Sequence, residues 1–566
     1  MTKIIDMDHQ PQQKKQPNKG KVLLTLVMFL LGACGLAYEY TLSKIAADLL
    51  GNSVQQWATM IAVILFAMGL GAEIQTNIPT AEISDKLIFS QVTLALVGGF
   101  APMCMLYGFS MMGDYYIIVQ YGLALGVGTL IGFEIPLIMR INEERDPEMK
   151  INLARILKMD YIGALVGALV WTFVFVRYLS LSHVSFILGY VSLISSILIF
   201  FLYRQHLLKP RSRIAEISLC ATALTIGFYF SQPLMRHAEQ YLYRDKIVFT
   251  ATTPYQHIVL TENSKSNINC YINGHLQFSE SDEAIYHENL VHPAMLLCPQ
   301  AKRVLILGGG DGLAAREVLK YPTVKEIVLV DIDPQMTRLA KTQPDLVRLN
   351  RGALLNDRLK FTFPKGVTKG EISTLTSPNQ RQRKYIRDHH AVAQVRVVNL
   401  DAASFLRNAS GVFDVVILDF PDPSSPDLAK LYSKPFYMSL KNHLKPSSVI
   451  VQQSGSPFHA KEAFLCIGRT LNSAGFSVLP YHDNVPSFGE WGWWLGRVIS
   501  PNHQEKLKSQ ISALTENDFQ SNSKYLSVDL IKSSLIFGRN QLISQHSDIT
   551  SLTESKVYYY YLQGWN

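Results

Sequence analysis

The sequence predicts a multi-pass α-helical membrane domain, then a small β-domain, then an α/β domain built on a doubly wound sheet. Three observations predict it. Seven long apolar runs fill the first 236 positions of a 566-residue chain, each near the ~20 residues that a bilayer needs. Short alternating segments broken by turn residues follow between 247 and 285, the pattern of antiparallel strands. From Arg303 onward, apolar β-branched runs alternate with helical spacing, as in parallel strands joined by helices.

Residues 1–20 are polar, carry Lys14, Lys15 and Lys19, and have no apolar period, which predicts a disordered tail. The run from Val22 to Tyr40 is too long for a signal-peptide core and is followed by others at 54–76, 88–111, 115–139, 160–177, 183–203 and 216–235. None shows the polar face of a soluble amphipathic helix. Glu39, Glu73, Glu134 and Asp160 lie within or beside these runs. Acids there are costly; each either sits at an interface or pairs with a neighbouring helix, or they line a path for a cation or polyamine. Gly163 and Gly167 form a small-residue face for close helix packing. Lys and Arg gather in the tail, in Arg140–Lys158 and in Arg204–Arg213, which marks one cytoplasmic side. Seven spans would then place the second half of the chain on the other side.

That second half has ordinary soluble composition. Ile247–Asn273 reads as a hairpin with a turn at Asn263–Ser266, and Asn273-Gly274 is a second tight turn. A helix is expected over Glu288–Leu297, and strands over 326–330, 394–399, 413–418 and 447–452. The basic insertion 361–392 (Arg381, Arg383, Lys384, Arg387, His389, His390) reads as a mobile loop, with a phosphate- or lipid-facing role as the alternative. The organisation is a tail (1–20), a membrane domain (21–236), a β-domain (247–285), an α/β domain (286–500) and a C-terminal extension (501–566). The extension ends in Tyr558 to Tyr561 and Trp565, an aromatic density suited to docking on a membrane or on the protein body. A net charge of +8 without a basic stripe argues against nucleic acid. The six cysteines, Cys34, Cys104, Cys220, Cys270, Cys298 and Cys466, form no Cys-x-x-Cys pair. Neither a metal nor a disulfide framework is expected, and free thiols suit a reducing compartment.

The chain is organised around Arg303–Gly312, an apolar strand that breaks into Gly308-Gly309-Gly310-Asp311-Gly312 and resumes as a helix. A strand turning on glycine into a helix offers bare backbone N–H groups to a ligand. Gly308, Gly310 and Gly312 are spaced for backbone approach to a nucleoside, and Asp311 favours positive charge or hydroxyls over phosphate. The next strand ends at Asp331, where an acid takes a ribose hydroxyl pair; the bland alternative is a packing turn with a solvated Asp331. Strand 413–418 ends in Asp419-Phe420-Pro421-Asp422-Pro423. Two carboxylates there need a positive partner such as a diamine, unless one caps a helix and the other makes a turn.

These motifs, with Asp401-Ala402, Tyr255-Gln256, Asn273–Gln277, Asp282–Glu288 and Leu431–Tyr437, resemble the aminopropyltransferases, of which spermidine synthase is the best known. The resemblance runs over roughly 250–495, and an apolar N-terminal half is similar to the membrane-attached branch of that family. It implies a Rossmann-like, S-adenosylmethionine-type sheet that binds decarboxylated S-adenosylmethionine as co-substrate, with no metal and no other cofactor. Asp331 would hold the ribose, Asp401 the adenine amino group and Asp311 the aminopropyl ammonium. Gln256 and Gln277 would line the nucleoside or amine pocket. Asp419 would be the base, with Tyr286 assisting and Asp422 holding the diamine. Partners implied are a diamine such as putrescine, the lipid bilayer and, by analogy, a second copy in a homodimer. The location implied is the inner membrane with the catalytic domain in the cytoplasm, against the count of spans. Phe420 and Pro421 stand where the family has small residues and so narrow or reshape the amine channel; Phe488 replaces a pocket tyrosine, and His287 a glutamine. Two other readings stay open: an S-adenosylmethionine-dependent methyltransferase, and a membrane transport or sensing protein with a non-catalytic nucleoside fold.

Overall fold

The computed structural model describes residues 19–50, 53–143, 149–355, 393–498, 503–519 and 523–565. The polar tail up to residue 18 and the basic insertion with Arg381, Arg383, Lys384, Arg387, His389 and His390 lie outside these residues. The chain forms two compact units, Met1–Arg244 and Asp245–Asn566.

Among the described residues of the first unit, seven helices are long and apolar enough to cross a bilayer: α1 (Val22–Leu50), α2 (Val54–Asn77), α3 (Thr80–Met112), α4 (Tyr116–Ile141), α5 (Leu153–Tyr178), α6 (Leu181–His206) and α7 (Pro210–Gln240). The expected small-residue face is used by α5 against α1. A Cβ on Gly163 would stand 2.1 Å from the Phe29 carbonyl oxygen, and one on Gly167 would stand 2.4 Å from that of Ala33. Gly128 and Gly132 do the same between α4 and α2, at 2.6 Å from the oxygen of Ile64 and 2.2 Å from that of Met68. Such close approach of backbones supplies tight helix packing. Buried Glu134 accepts a 2.8 Å hydrogen bond from Gln91 Nε2 of α3, the pairing with a neighbouring helix that one reading expects.

The second unit begins with a four-stranded antiparallel sheet of β1 (Lys246–Thr252), β2 (His257–Glu262), β3 (Ile268–Ile272) and β4 (His275–Ser279), in that spatial order. Asn273 and Gly274 make the β3–β4 turn with φ of 51° and 82°, the left-handed geometry that an Asn-Gly pair favours. Helix α8 (Glu283–Leu296) follows. It starts five residues before the expected Glu288, because nearly all its residues are buried. A helix enclosed on every side carries no amphipathic period to mark its start.

The main sheet has seven strands in the order β10-β11-β9-β8-β5-β6-β7. These are β5 (Arg303–Gly308), β6 (Glu326–Asp331), β7 (Gln394–Asn399), β8 (Phe413–Asp419), β9 (Leu444–Gln453), β10 (Phe476–Val485) and β11 (Gly489–Val498). β9, β8, β5, β6 and β7 run parallel, whereas β11 is antiparallel to both β9 and β10. The β10–β11 hairpin is absent from the strands read in the sequence. Pro480 sits inside β10, and a proline demotes such a run unless the strand lies at a sheet edge, where β10 is. Side chains alternate between the two faces: Val304, Ile306, Ile327 and Leu329 join one buried core, and Leu305, Leu307, Val328 and Val330 the other. The strand order reverses between β5 and β8, whose ends pair Gly308 with Asp419. Ligands bind in doubly wound sheets at the carboxyl ends of the strands beside such a reversal.

Candidate active site

The glycine turn is shaped by what it must clear. Gly308, Gly309 and Gly312 adopt φ of 87°, 64° and 82°, a region costly for other residues. A Cβ on Gly308 would stand 2.0 Å from the Asp419 carbonyl oxygen, and one on Gly310 would stand 2.6 Å from Asp331 Oδ2. The turn thus lets two acid-bearing strand ends meet its backbone. Helix α9 (Leu313–Val318) continues from it.

Asp331 closes β6. Its Oδ2 accepts the Gly310 N–H at 3.1 Å, and its Oδ1 accepts the Asp333 N–H at 2.8 Å. Burial pushes its carboxyl up to about 7, aided by the charges of Asp333 and Asp311. Asp331 is therefore half-buried and tied to the glycine turn. Asp311 Oδ1 takes the Leu313 N–H at 2.7 Å, and Asn350 Nδ2 holds the Asp311 carbonyl at 2.8 Å.

Asp419 accepts a 2.8 Å hydrogen bond from the Tyr286 hydroxyl on α8. Burial pushes its carboxyl up to about 6; His287 and the Tyr286 bond oppose the rise, and Asp311 adds to it. Asp422 accepts from Gln453 Nε2 at 3.1 Å. Burial pushes it up to about 6 as well, against the Gln453 and Tyr561 side chains. Phe488 stands edge-on to the Tyr286 ring, with centroids 6.0 Å apart and planes at 81°. Phe420 stands beside the glycine turn, its Cδ1 3.4 Å from where a Cβ on Gly308 would be. It is buried in the core against Tyr432 and Phe436, and Tyr432 fixes the Pro421 carbonyl at 2.8 Å.

The other sequence candidates are placed unevenly. Gln256 lies in a turn whose Thr253 hydroxyl donates to Asp333 at 2.9 Å, beside the end of β6. Asp401 caps the helix α10 (Ala402–Asn408), accepting the Ser404 N–H at 2.8 Å. Leu400 is held to the Asp331 carbonyl at 3.1 Å, which keeps Asp401 near that strand end. Gln277 instead donates to the His275 carbonyl of its own strand at 3.2 Å, and among the described residues no hydrogen bond joins it to the acids.

A buried ion network anchors Tyr286. Glu283, one turn before it, takes both ends of the Arg316 fork at 2.9 and 2.8 Å. Arg316 Nε also donates to Glu317 at 2.8 Å, and His287 Nδ1 lies 3.1 Å from Glu283. Burial alone would raise Glu283, but His287 and Arg316 hold it at about 2. For His287, burial opposes the charge, and Glu283 more than restores it. Glu288, His292 and Glu317 gather oxygen and nitrogen atoms within 4.8 Å of one another. The positive charge there is already supplied by Lys320, whose Nζ lies 2.5 Å from Glu317 and 3.6 Å from Glu288. Three backbone N–H groups of Lys524, Tyr525 and Leu526 also fill Glu288. Sequence reading found neither this network nor Gln453, because their partners lie tens to hundreds of positions away.

Asp419 and Asp422, both raised by burial on one loop, are poised to accept positive charge. Affinity for a diamine should fall as pH drops through about 6, as Asp419 and Asp422 take up protons. Dissociation constants measured from pH ~8 to ~5 check this; a flat profile contradicts it.

A spermine/spermidine synthase domain family matches residues 283–368 and 380–508. Polyamine aminopropyltransferase 2 of Ralstonia nicotianae is 36% identical over 482 residues, covering 84% of this chain and 87% of that one. The polyamine aminopropyltransferase of Leptospira interrogans is 33% identical over 545 residues, covering 96% of this chain and 98% of its own. Spermidine synthase from Thermotoga maritima aligns over 52% of this chain and 87% of its own, at 22% identity and a TM-score of 0.41.

Proposed function

Because this chain belongs to the spermine/spermidine synthase family, we propose a residue-by-residue account of how it transfers an aminopropyl group from decarboxylated S-adenosylmethionine to a diamine. The enzyme is a polyamine aminopropyltransferase. The observation that carries the residue roles is the convergence of Asp331, Asp419 and Tyr286 on one glycine turn.

The donor's ribose lies on Asp331, its adenine near Asp401 and its aminopropyl ammonium by Asp311, with Gly308, Gly310 and Gly312 leaving room for its body. An alkylamine resembles lysine, with a pKa of about 10.4, so the acceptor arrives protonated. Asp419, oriented by Tyr286, takes its proton as attack begins. The freed nitrogen lone pair then attacks the carbon next to sulfur, and the C–S bond breaks with its electrons passing to sulfur. A C–N bond and a neutral thioether, methylthioadenosine, result. Asp422 holds the far ammonium of the diamine. Alignment of two bound molecules supplies much of the rate. We take putrescine as the acceptor, giving spermidine.

The first unit is proposed to lie in the inner membrane. Phe66, Ile118, Phe173, Leu219 and Tyr229 on its helices are each more than 60% exposed, an outward apolar surface that suits lipid and not water. The catalytic unit is placed in the cytoplasm, where its free thiols Cys270, Cys298 and Cys466 and a cytosolic donor agree. With seven apolar helices, that placement requires the tail outside or one helix that does not cross. A homodimer belongs to the same proposal by family analogy.

The test is product identity. Full-length protein incubated with decarboxylated S-adenosylmethionine and a panel of diamines should release methylthioadenosine and an aminopropylated amine in equal amounts. Binding of both ligands with no product would favour a sensing or transport role.

A further inference from the structure

Asp419 and Asp422 are joined by Phe420 and Pro421, and this link is held from outside the loop. The Tyr432 hydroxyl donates to the Pro421 carbonyl at 2.8 Å and lies 3.5 Å from the Phe420 carbonyl. Its ring stands edge-on to Phe420, with centroids 6.4 Å apart and planes at 68°. Gln453, the last residue of β9, completes the frame. Its Nε2 donates to the Tyr432 hydroxyl at 3.1 Å, to Asp422 Oδ1 at 3.1 Å and to the Phe420 carbonyl. Its Oε1 accepts the Gly455 N–H at 3.1 Å. The Tyr432 oxygen is thus donor to the loop and acceptor from the side chain that touches Asp422. Tyr432 and Gln453 are buried, and hydrogen bonds made away from water are the stronger for it.

Tyr432 is itself fixed. The next residue, Ser433, caps the helix α11 (Lys434–Lys441), and its hydroxyl donates to the Lys430 carbonyl at 2.6 Å. The Lys434 N–H donates to the Thr550 carbonyl of the C-terminal extension at 2.9 Å. Thr550 is pinned in turn between α12 (Lys461–Ser473) and the last helix, α13 (Lys556–Trp565). Its N–H donates to the Thr470 hydroxyl at 3.0 Å, and its own hydroxyl accepts the Val557 N–H at 3.0 Å. A buried carbonyl needs a partner in any fold. Here the carbonyl chosen belongs to the peptide unit that leads directly into Asp422. Proline fixes φ at 421, so with the Phe420 and Pro421 carbonyls both bound the link between the acids is stiff.

We propose that Tyr432 is a positioning residue that selects the length of the acceptor diamine. By holding the Phe420-Pro421 link, it sets the separation between Asp419, which takes the proton of the attacking amine, and Asp422, which holds the far ammonium. Each added methylene carries the far nitrogen outward, so a fixed separation suits one chain length best. This inference rests on the aminopropyl-transfer reading and deepens it.

The experiment uses the full-length protein in detergent and measures kcat/KM for 1,3-diaminopropane, putrescine and cadaverine in wild type, Tyr432→Phe and Phe436→Leu. Wild type should prefer one length over its neighbours by about 10- to 200-fold, the discrimination that one methylene allows. Tyr432→Phe keeps the ring and loses the hydroxyl, and the preference should fall roughly tenfold with the lost hydrogen bond. KM for decarboxylated S-adenosylmethionine should stay within about twofold, since Tyr432 touches neither the donor nor the reacting atoms. Phe436 packs in the same core against Phe420, yet its side chain makes no hydrogen bond to the loop. Phe436→Leu should therefore lower stability and leave the preference unchanged. Should Tyr432→Phe fail to fold, Pro421→Ala loosens the same link from within and must weaken the preference in the same way. A wild type that uses all lengths equally, or a preference untouched in Tyr432→Phe or Pro421→Ala, overturns the inference and leaves the enzyme reading intact. An equal loss of preference in Phe436→Leu makes the effect one of packing and overturns it as well. A wild type inert to every diamine overturns the reading, and this inference with it.

Discussion

Asp419→Asn is expected to lower turnover by roughly 10²- to 10⁴-fold, the usual contribution of a positioned general base, while nucleoside binding changes only a few-fold. The amide keeps an oxygen for the Tyr286 hydroxyl, so the α8 contact survives, but it cannot take a proton from an ammonium. The same variant should be more stable than wild type at neutral pH. The Asp419 carboxyl is raised by burial from 3.8 to about 6, so the folded state binds protons more readily than the unfolded chain. Stability therefore falls as pH rises through that interval and stays lower above it, by on the order of 3 kcal/mol at one pKa unit per 1.36 kcal/mol. The asparagine removes this cost, and its advantage should vanish below about pH 4. Single-turnover rates and unfolding midpoints at two pH values check both halves. A variant that loses stability and nucleoside binding together would make Asp419 a structural residue.

Arg316→Met should cost about 3–5 kcal/mol of unfolding free energy, the penalty for stranding a buried charge. Arg316 is buried, and Glu283 and Glu317 beside it are more so. Removing its fork leaves Glu283, now held at about 2 against burial, with His287 at 3.1 Å and Lys524 at 3.9 Å as its remaining cations. Because Glu283 is depressed, its stabilisation is present above its ordinary carboxylate pKa and is lost as pH falls toward 2. The variant's deficit should therefore be largest near neutrality and shrink in acid. Arg316 extends from α9, directly after the glycine turn, to α8, which carries Tyr286, so activity should fall with stability. Chemical unfolding followed by the fluorescence of Trp491, Trp493 and Trp494 is the measurement. A loss below about 1 kcal/mol would mean that the network is not the anchor described.

What could be read from the sequence divides along a physical line. Strands β5, β6, β8 and β9 were legible because burial on both faces forces a continuous apolar run, and β7 through its alternating valines. The glycine turn, Asp331, Asp419 and Asp422 were legible because strand ends and backbone clearance are local constraints. The small β-domain between Lys246 and Ser279 was legible through its turns at 263–266 and 273–274, whereas the turn between β1 and β2, which divides the expected first strand in two, was not. The start of α8 was not, since Glu283 and Glu288 look like surface residues until Arg316 and the 524–526 backbone are brought to them. Gln277 shared a family motif, and its amide donates one hydrogen bond to the His275 carbonyl of its own strand. Tyr561 lay in an aromatic cluster that suits either a membrane or the protein body; the contacts of α13 with α12 show the body. Such pairings, 238 positions apart in the case of Glu288 and Leu526, leave no periodic signal in a single chain.

The central claim is that the acids around the glycine turn exist to join two cations. The most direct measurement runs the turnover assay in parallel with S-adenosylmethionine and with its decarboxylated form. A donor that keeps its carboxylate brings negative charge to Asp311 and should bind at least tenfold more weakly and give no product. The decarboxylated donor should give methylthioadenosine and aminopropylated diamine one for one. Equal affinity for the two donors, or a methylated amine from the first, would contradict the account.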